Sequence, residues 1–198
     1  MATQAERSRA TREKLLDATV ACLLTRGYRG TSTPEVCKRA GVSRGAQLHH
    51  YATKEELVAA AVEHVMNRRL SELRTRLDLA PGGVLDLTKA ASFMWLVYTG
   101  DTFYVWLELV VAARTEPALL SLMREVDARF LARAEAMCKA FLLPHVTDPA
   151  EITATTRLIL SIFDGLATHR ILTGDDMLPK RALGVAAKAG LFTPRGKA

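Results

Sequence analysis

Side chains that can read DNA are concentrated between residues 44 and 54. A guanidinium such as that of Arg44 can bond both acceptors of a guanine in the major groove, and an amide such as that of Gln47 can bond an adenine bidentately. Gly45 and Ala46 are small enough to let base edges approach, and the methyl of Ala46 can contact a thymine methyl. These residue types predict a surface that recognises base edges.

Other residues of the same stretch suit the sugar-phosphate backbone. Lys54 stands at a predicted helix start, where an ammonium and free backbone amides together hold a phosphate. His49 and His50 are placed for phosphates, although His50 can instead pack inward. The full set of predicted DNA-binding residues is Thr33, Arg44, Gly45, Ala46, Gln47, His49, His50, Tyr51 and Lys54.

Two short helices around a glycine turn must position these groups. Ser32 followed by Glu35 has the spacing of a capping box, which satisfies free amides at a helix start. Gly41 suits the left-handed conformation that ends a helix, and Ser43 can cap the helix that follows. Helix, turn and helix over residues 32–51 predict a helix-turn-helix motif, whose second helix enters the major groove.

The basic charge of the chain is concentrated around this motif. Residues 1–54 hold ten basic and four acidic residues, which accounts for the net charge of +6 of the whole chain. A basic segment of this kind is expected where a protein meets phosphates, although charge alone also fits a solvated surface. Arg7, Arg9 and Arg12 fit either an arm that follows the DNA backbone or minor groove, or a frayed solvated end.

Residues 9–69 resemble the N-terminal DNA-binding domain of the TetR/AcrR family of bacterial transcriptional regulators. The matching motifs, in order, are LLDA at 15–18, GY at 27–28, TS at 31–32, AGVS at 40–43, HHY at 49–51 and TKEEL at 53–57. The resemblance implies a DNA-binding domain over residues 9–69 and a helical effector-binding and dimerisation domain over residues 70–198. It also implies three partners: double-stranded operator DNA, a small-molecule effector and a second copy of the chain.

The recognition helix departs from the family pattern at two neighbouring positions. The position of Gln47 is commonly a buried leucine in the family, and that of Leu48 is commonly an aromatic hydroxyl donor to phosphate. We interpret the exchange as a rotation of the recognition helix about its axis. In this orientation Leu48 and Tyr51 form a core pair and Gln47 faces DNA.

The remaining sequence predicts helices nearly throughout. Gly and Pro residues divide it into helix-length segments, and strand patterns are essentially absent. The predicted helices are 9–26, 54–79, 84–99, 101–115, 118–143, 150–173 and 180–191, in addition to the two of the motif. The predicted fold class is therefore all-α, with a three-helix N-terminal domain, and the Pro-Gly-Gly stretch at 81–83 is a predicted hinge.

No feature of the sequence predicts catalysis, a metal site or a membrane span. A phosphate loop, a nucleophile elbow and zinc-binding spacings are missing. Cys22, Cys37 and Cys138 are odd in number and have no C-x-x-C spacing, which fits a reducing cytoplasm. The longest apolar run is too short to cross a bilayer, and the N-terminus lacks the apolar stretch of a signal peptide. We therefore expect a cytoplasmic protein that is not an enzyme and uses no cofactor.

Large aromatic side chains cluster between residues 93 and 106, and both tryptophans of the chain are among them. Such a cluster is either an ordinary core or the wall of an apolar ligand cavity with a few polar anchors. The family resemblance favours the cavity, because such regulators typically bind a small effector in the C-terminal domain. The predicted ligand-binding residues are Trp95, Tyr98, Phe103, Trp106, Glu108 and His169.

Residues 150–173 are too apolar for a helix with a wide solvent face. Such a helix is either buried in its own domain or paired with a symmetry mate, in a four-helix interface that includes the following helix. The resemblance implies the second arrangement, because family members dimerise through their last two long helices. The predicted interface residues are Leu158, Ile162, Leu166, Leu183 and Ala187.

Motif, charge and resemblance together predict a homodimeric transcriptional regulator. The expected activity is repression, relieved when a small apolar or aromatic effector releases the protein from its operator. The alternative is an architectural or partner-controlled DNA-binding protein without a small-molecule effector. An open cavity in the C-terminal part would favour the first function, and a filled core the second.

Overall fold

A computed structural model describes residues 3–76, 87–141, 143 and 146–188. Every regular element within these residues is an α-helix, so the predicted all-α fold class is confirmed. The helices are α1 (Gln4–Gly30), α2 (Thr33–Ala40), α3 (Arg44–His50), α4 (Lys54–Arg76), α5 (Leu87–Tyr98), α6 (Asp101–Ala113), α7 (Pro117–Phe141), α8 (Pro149–Thr173) and α9 (Met177–Lys188). The predicted hinge at 81–83 lies outside the described residues.

Local sequence signals explain most of the boundaries in the N-terminal part. Ser43 caps α3, because its Oγ accepts a hydrogen bond from the backbone N–H of Ala46 at 3.2 Å. Gly41 ends α2 in the left-handed region, with φ of 63°. Both predictions are confirmed. The predicted capping box at Ser32 is wrong, because that side chain makes no capping bond and Glu35 instead accepts from Arg26 Nη2 at 3.1 Å.

Helix α1 is interrupted near its end. Gly27 has φ of 65° and ψ of −179°, a conformation that is essentially restricted to glycine. The break separates the long amphipathic part of α1 from a last turn that carries Tyr28, whose side chain is buried. Gly27 therefore fixes the direction in which Tyr28 leaves the helix.

The chain forms two compact units. The first comprises Met1–Arg68 together with Asp101–Ala128, and the second comprises Arg69–Gly100 together with Arg129–Ala198. In the first unit, α1 packs on α2, α3 and α6. Its core includes Leu15, Leu16, Cys22, Val36, Tyr51, Leu57 and Ala61. Residues from the middle of the chain thus belong to the same unit as the helix-turn-helix.

The second unit is organised around α8. Helix α5 packs against α8, and α8 packs against α9. The rings of Tyr98 and Phe163 lie 5.4 Å apart between centroids, and Phe163 is almost completely buried. The inward face of α8 is formed by Ile159, Leu160, Phe163 and Ala167. No single helix in the described part of the chain is long and apolar enough to cross a membrane, although α5 and α6 taken together reach that length and composition.

Candidate nucleic-acid interface

Helix α3 presents one exposed face and one buried face. The exposed face carries Arg44, Gly45, Leu48 and His49. Nothing lies within 4 Å of the position that a Cβ on Gly45 would take, so this face is open. It therefore has the composition of a base-reading surface: a guanidinium, a glycine, an apolar side chain and an imidazole.

The predicted rotation of α3 is wrong. Gln47 is 0% exposed and Leu48 is 47% exposed, so the amide lies inside and the leucine outside. Tyr51 is buried, as predicted, but its partner in the core is not Leu48. The physical reason is that Gln47 bonds at both ends: Nε2 donates to the carbonyl of Tyr51 at 2.6 Å, and Oε1 accepts from Arg44 Nη1 at 2.5 Å. A buried amide with both ends bonded costs little, so the polar side chain need not face solvent.

Two residues predicted to contact DNA are engaged within the protein. The hydroxyl of Tyr51 accepts a hydrogen bond from Arg12 Nε at 2.9 Å. Lys54 donates from Nζ to the carbonyl of Tyr28 at 2.7 Å, and its ammonium lies 4.0 Å from the centroid of the Tyr28 ring. Burial lowers the pKa of Lys54, while the nearby carboxylates of Glu55 and Glu116 oppose that shift. Lys54 thus ties the start of α4 to the end of α1.

The other predicted DNA contacts lie near the exposed face of α3. Thr33, at the start of α2, is partly exposed, as are Ala46 and His50. The imidazole rings of His49 and His50 are 5.5 Å apart in an edge-on arrangement. No cluster of His, Cys, Asp or Glu able to hold a metal ion occurs within the residues that the structure describes.

The N-terminal arginines form neither an extended arm nor a frayed end. Thr3 caps α1 by accepting from the N–H of Glu6 at 3.2 Å, and the Glu6 carboxylate accepts from the N–H of Thr3 at 2.6 Å. Arg7, Arg9 and Arg12 are therefore helical. Their positions follow from a capping signal at the N-terminus that the sequence interpretation missed.

Tyr28, in the last turn of α1, bonds the start of α4 and the middle of α6 in the first unit. Its N–H donates to Glu108 Oε1 of α6 at 2.8 Å, and its hydroxyl donates to Glu55 Oε1 of α4 at 3.1 Å. Burial raises the pKa of Tyr28 to about 12, and the Glu55 carboxylate adds to this shift. With Lys54 on its carbonyl, Tyr28 is bonded at backbone and side chain alike. Sequence reasoning had no signal for the link to Glu108, because 80 residues separate the partners.

The predicted ligand-binding residues are divided between the units. Phe103, Trp106 and Glu108 belong to the first unit, and Trp95, Tyr98 and His169 belong to the second. Trp95, Tyr98 and Phe103 are buried, Trp106 is half-buried and His169 is exposed. Burial raises the pKa of Tyr98, and the carboxylate of Asp164 adds to this effect.

A buried hydroxyl in the second unit was not predicted. Thr156 is 1% exposed, and its Oγ1 has no partner with hydrogen-bond geometry in the described part of the chain. The thiol of Cys138 lies beside it: burial raises the pKa of that thiol, and a weak interaction with the Thr156 hydroxyl opposes the shift. A threonine at a helical core position carries no sequence signal of its own, because the residue type is common on helix surfaces.

The predicted dimer residues lie on more than one face. Leu158 is half exposed, Ile162 and Leu166 are partly buried, and Leu183 is buried. The side chain of Ala187 lies outside the described part of the structure. Among the side chains of α8 and α9 that the structure describes, the most exposed apolar ones are instead those of Leu172 and Val185, at 81% and 67%. Leu158, Gly165 and Leu172 are spaced by seven residues, so they fall on one stripe of α8.

A helix-turn-helix with an open second helix, in a chain whose described regular elements are all helices, is the architecture of a DNA-binding transcriptional regulator. A model of the tetR family of bacterial regulatory proteins matches residues 15–61, and a model of the C-terminal part of BetI-type transcriptional repressors matches residues 99–189. An HTH-type transcriptional regulator of Mycobacterium tuberculosis is 31% identical over 172 residues, which cover 85% of this chain and 86% of the relative. The chain therefore belongs to the TetR family, as its sequence motifs predicted.

A further relative agrees with this membership, and a solved structure shares the fold. The HTH-type transcriptional regulator CymR of Pseudomonas putida is 41% identical over 121 residues, which cover 59% of this chain and 58% of CymR. Among solved structures, the multidrug binding protein EbrR in complex with imidazole aligns with a TM-score of 0.67 at 22% identity. That alignment covers 94% of this chain and 97% of EbrR, so the similarity of fold extends over both proteins.

Proposed function

We propose that this regulator is a homodimeric repressor, and that a small apolar or aromatic effector releases it from operator DNA. The match to the C-terminal part of BetI-type repressors supports repression rather than activation. In this proposal Arg44, Gly45, Leu48 and His49 face base edges, and the partly exposed Thr33, Ala46 and His50 lie closer to the phosphates. Gln47, Tyr51 and Lys54 support α3 and the start of α4 from within.

The observation that carries ligand control is the bond between Glu108 and Tyr28. Helix α6 packs on α1 in the same compact unit as the helix-turn-helix. Its Glu108 bonds the backbone of Tyr28, and Tyr28 in turn bonds Lys54 and Glu55 at the start of α4. A displacement of α6 therefore reaches two of the helices that orient α3 without any intervening flexible segment.

Apolar surface on α8 supports the homodimer. Leu158, Gly165 and Leu172 form a stripe on the side of the helix opposite its buried face. Gly165 has nothing within 4 Å of its Cβ position, so a second helix can approach closely there. Val185 extends the apolar surface onto α9. Two such surfaces related by a two-fold axis would bury both stripes, as a symmetric interface requires.

The second unit contains buried aromatic side chains on α5 and a buried hydroxyl on α8, which are the kinds of group an effector site uses. Trp95 and Tyr98 are buried on α5, and Tyr98 contacts Phe163. The hydroxyl of Thr156 is the polar group that a bound molecule could satisfy. The fold itself can hold a flat aromatic molecule, because EbrR has been crystallised with proflavin and with ethidium. The argument from EbrR to this protein rests on the similarity of their folds.

Reciprocal binding tests the proposal. Compounds that raise the melting temperature are titrated by calorimetry with and without operator DNA. An effector that prefers the DNA-incompetent form must bind more weakly in the presence of DNA, by the same factor by which it weakens DNA binding. We expect a coupling of about 1–3 kcal/mol, or roughly 5- to 150-fold. Equal affinities for every compound would instead establish an architectural protein without an effector.

A matched pair of variants tests the route. Glu108→Leu removes the acceptor for the N–H of Tyr28, whereas Glu108→Gln keeps an acceptor oxygen at the same distance along the side chain. We expect the leucine variant to reduce the coupling factor and the glutamine variant to retain most of it. A leucine variant with undiminished coupling would show that the signal takes another path.

A further inference from the structure

A fully buried amide stands directly behind the recognition surface. Gln47 lies on α3 and is 0% exposed, although it is flanked in sequence by exposed or partly exposed residues. Its Oε1 accepts from the guanidinium of Arg44, and its Nε2 donates to the carbonyl of Tyr51. An arginine can only donate and a carbonyl can only accept, so the two partners fix the orientation of the amide.

This hydrogen bond holds the guanidinium of Arg44 by one of its three nitrogens, Nη1. The residue is exposed, and the bond to Gln47 uses Nη1 alone. A guanidinium has further N–H groups on Nη2 and Nε, so it can still meet both acceptors of a guanine. An arginine without such a contact samples many rotamers and loses that freedom on binding. The contact with Gln47 removes part of this loss before DNA arrives.

Tyr51 provides the fixed end of this arrangement. Its ring is buried in the core of the first unit, and its hydroxyl accepts from Arg12 of α1. Its carbonyl therefore has a set position, to which the amide of Gln47 is bonded. Arg44 is connected through Gln47 to the helical core, and its direction does not depend on solvent.

We propose that Gln47 is a positioning residue that sets base discrimination, because it aims the guanidinium of Arg44 at one base pair of each half-site. The proposal rests on the proposed base contact of Arg44. Gln47 itself touches no base. An apolar residue of similar size would fill the same space but leave Arg44 free to turn toward the nearest phosphate, where it would read no sequence.

The test compares base discrimination among variants of the whole protein. The operator is first obtained by selection from random DNA. Dissociation constants are then measured at one fixed salt concentration for that operator and for a panel in which each position of one half-site is changed. The variants are Arg44→Ala, Gln47→Leu and their combination. Thr19→Val is the control, because it removes a buried hydrogen bond from the same unit without touching Arg44, Gln47 or Tyr51.

We expect the wild type to discriminate by roughly 5- to 150-fold at the base pair contacted by Arg44. Arg44→Ala and Gln47→Leu should both lose most of that factor, and the combined variant should lose no more than Arg44→Ala alone. Thr19→Val should keep it. Affinity of Gln47→Leu for unrelated DNA should change little, because its phosphate contacts remain.

Each failure has a distinct signature. Wild-type discrimination in Gln47→Leu, with discrimination lost in Arg44→Ala, overturns the inference and leaves the proposed function intact. Unchanged discrimination in Arg44→Ala overturns the base contact and the inference with it. If Gln47→Leu does not fold by circular dichroism, Gln47→Met replaces it, since methionine has similar length and cannot bond Arg44. The same two outcomes then decide the inference.

Discussion

Two buried threonines differ in a way that distinguishes the two units. Thr19 on α1 is 0% exposed, and its hydroxyl donates to the carbonyl of Leu15 at 2.7 Å. Thr156 on α8 is equally buried, yet its hydroxyl has no partner with hydrogen-bond geometry among the residues described. The Thr19 hydroxyl therefore has a backbone acceptor in the first unit, which contains the helix-turn-helix, whereas the Thr156 hydroxyl in the second unit has only the Cys138 thiol beside it.

The contrast extends to larger groups in the DNA-binding unit. Gln47 and Tyr28 are buried there with bonds at more than one atom: those of Gln47 lie within α3 and its C-terminal cap, and those of Tyr28 join α1 to α4 and α6. Directional bonds fix geometry more narrowly than apolar packing does, which suits a surface that must match base edges. The buried face of α8 is apolar apart from Thr156, whose hydroxyl makes no bond to nitrogen or oxygen among the described residues and so keeps the capacity to bond another molecule.

Among the variants that test the fixed geometry of the first unit, the largest change in the free energy of unfolding is expected for a substitution of Gly27. Gly27→Ala forces a side chain into a backbone conformation that L-residues rarely adopt, and its Cβ would lie 2.7 Å from Glu108 Oε1. Backbone strain of this kind costs about 1–3 kcal/mol. We expect a loss of that size in the free energy of unfolding, measured in urea at fixed protein concentration.

Gly45→Ala is the matched control for Gly27→Ala. Gly45 is helical, and the position of its Cβ is open. An alanine there should leave stability unchanged or raise it by about 0.5–1 kcal/mol. Equal losses in the two variants would show that the geometry at Gly27 is not specially constrained.

The parts of this structure that the sequence predicted are those set by local signals. The cap at Ser43 and the glycine at Gly41 act within one turn of helix, so they can be read without knowing the fold. Ser32 had the same kind of signal, but Glu35 found Arg26 as a partner instead. The outcome at Ser32 depended on a residue in another helix.

The orientation of α3 was also not predictable from local sequence signals. Polarity alone suggested that Gln47 faces DNA, whereas its burial depends on Arg44 and on the carbonyl of Tyr51. The hydrogen bonds that make the burial of this amide acceptable can be recognised only when the positions of both partners are known. The contact between Glu108 and Tyr28 is of the same kind, since only the fold brings the partners together.

A smaller decrease in the free energy of unfolding is expected for Thr19→Val, which tests the difference between the two buried threonines. Thr19→Val removes the hydroxyl that bonds the carbonyl of Leu15 and leaves a methyl group in its place. The loss of a hydrogen bond of this type costs about 0.5–1.5 kcal/mol. Urea unfolding should show a decrease of that size. No decrease would mean that the bond in the DNA-binding unit contributes nothing beyond packing.

The smallest effect on stability, with the opposite sign, is expected at Thr156. Thr156→Val replaces a buried hydroxyl by a methyl group, so it removes a desolvation cost and gives up only the weak interaction with the Cys138 thiol. Without effector, the free energy of unfolding should stay unchanged or rise by up to about 1 kcal/mol.

If an effector bonds this hydroxyl, the increase in melting temperature that the effector produces should be smaller in Thr156→Val than in the wild type. Thr19→Val, measured with the same compound, should keep the full increase. A decrease in stability as large as that of Thr19→Val would show that the hydroxyl of Thr156 is satisfied after all, and the two units would then not differ in this respect.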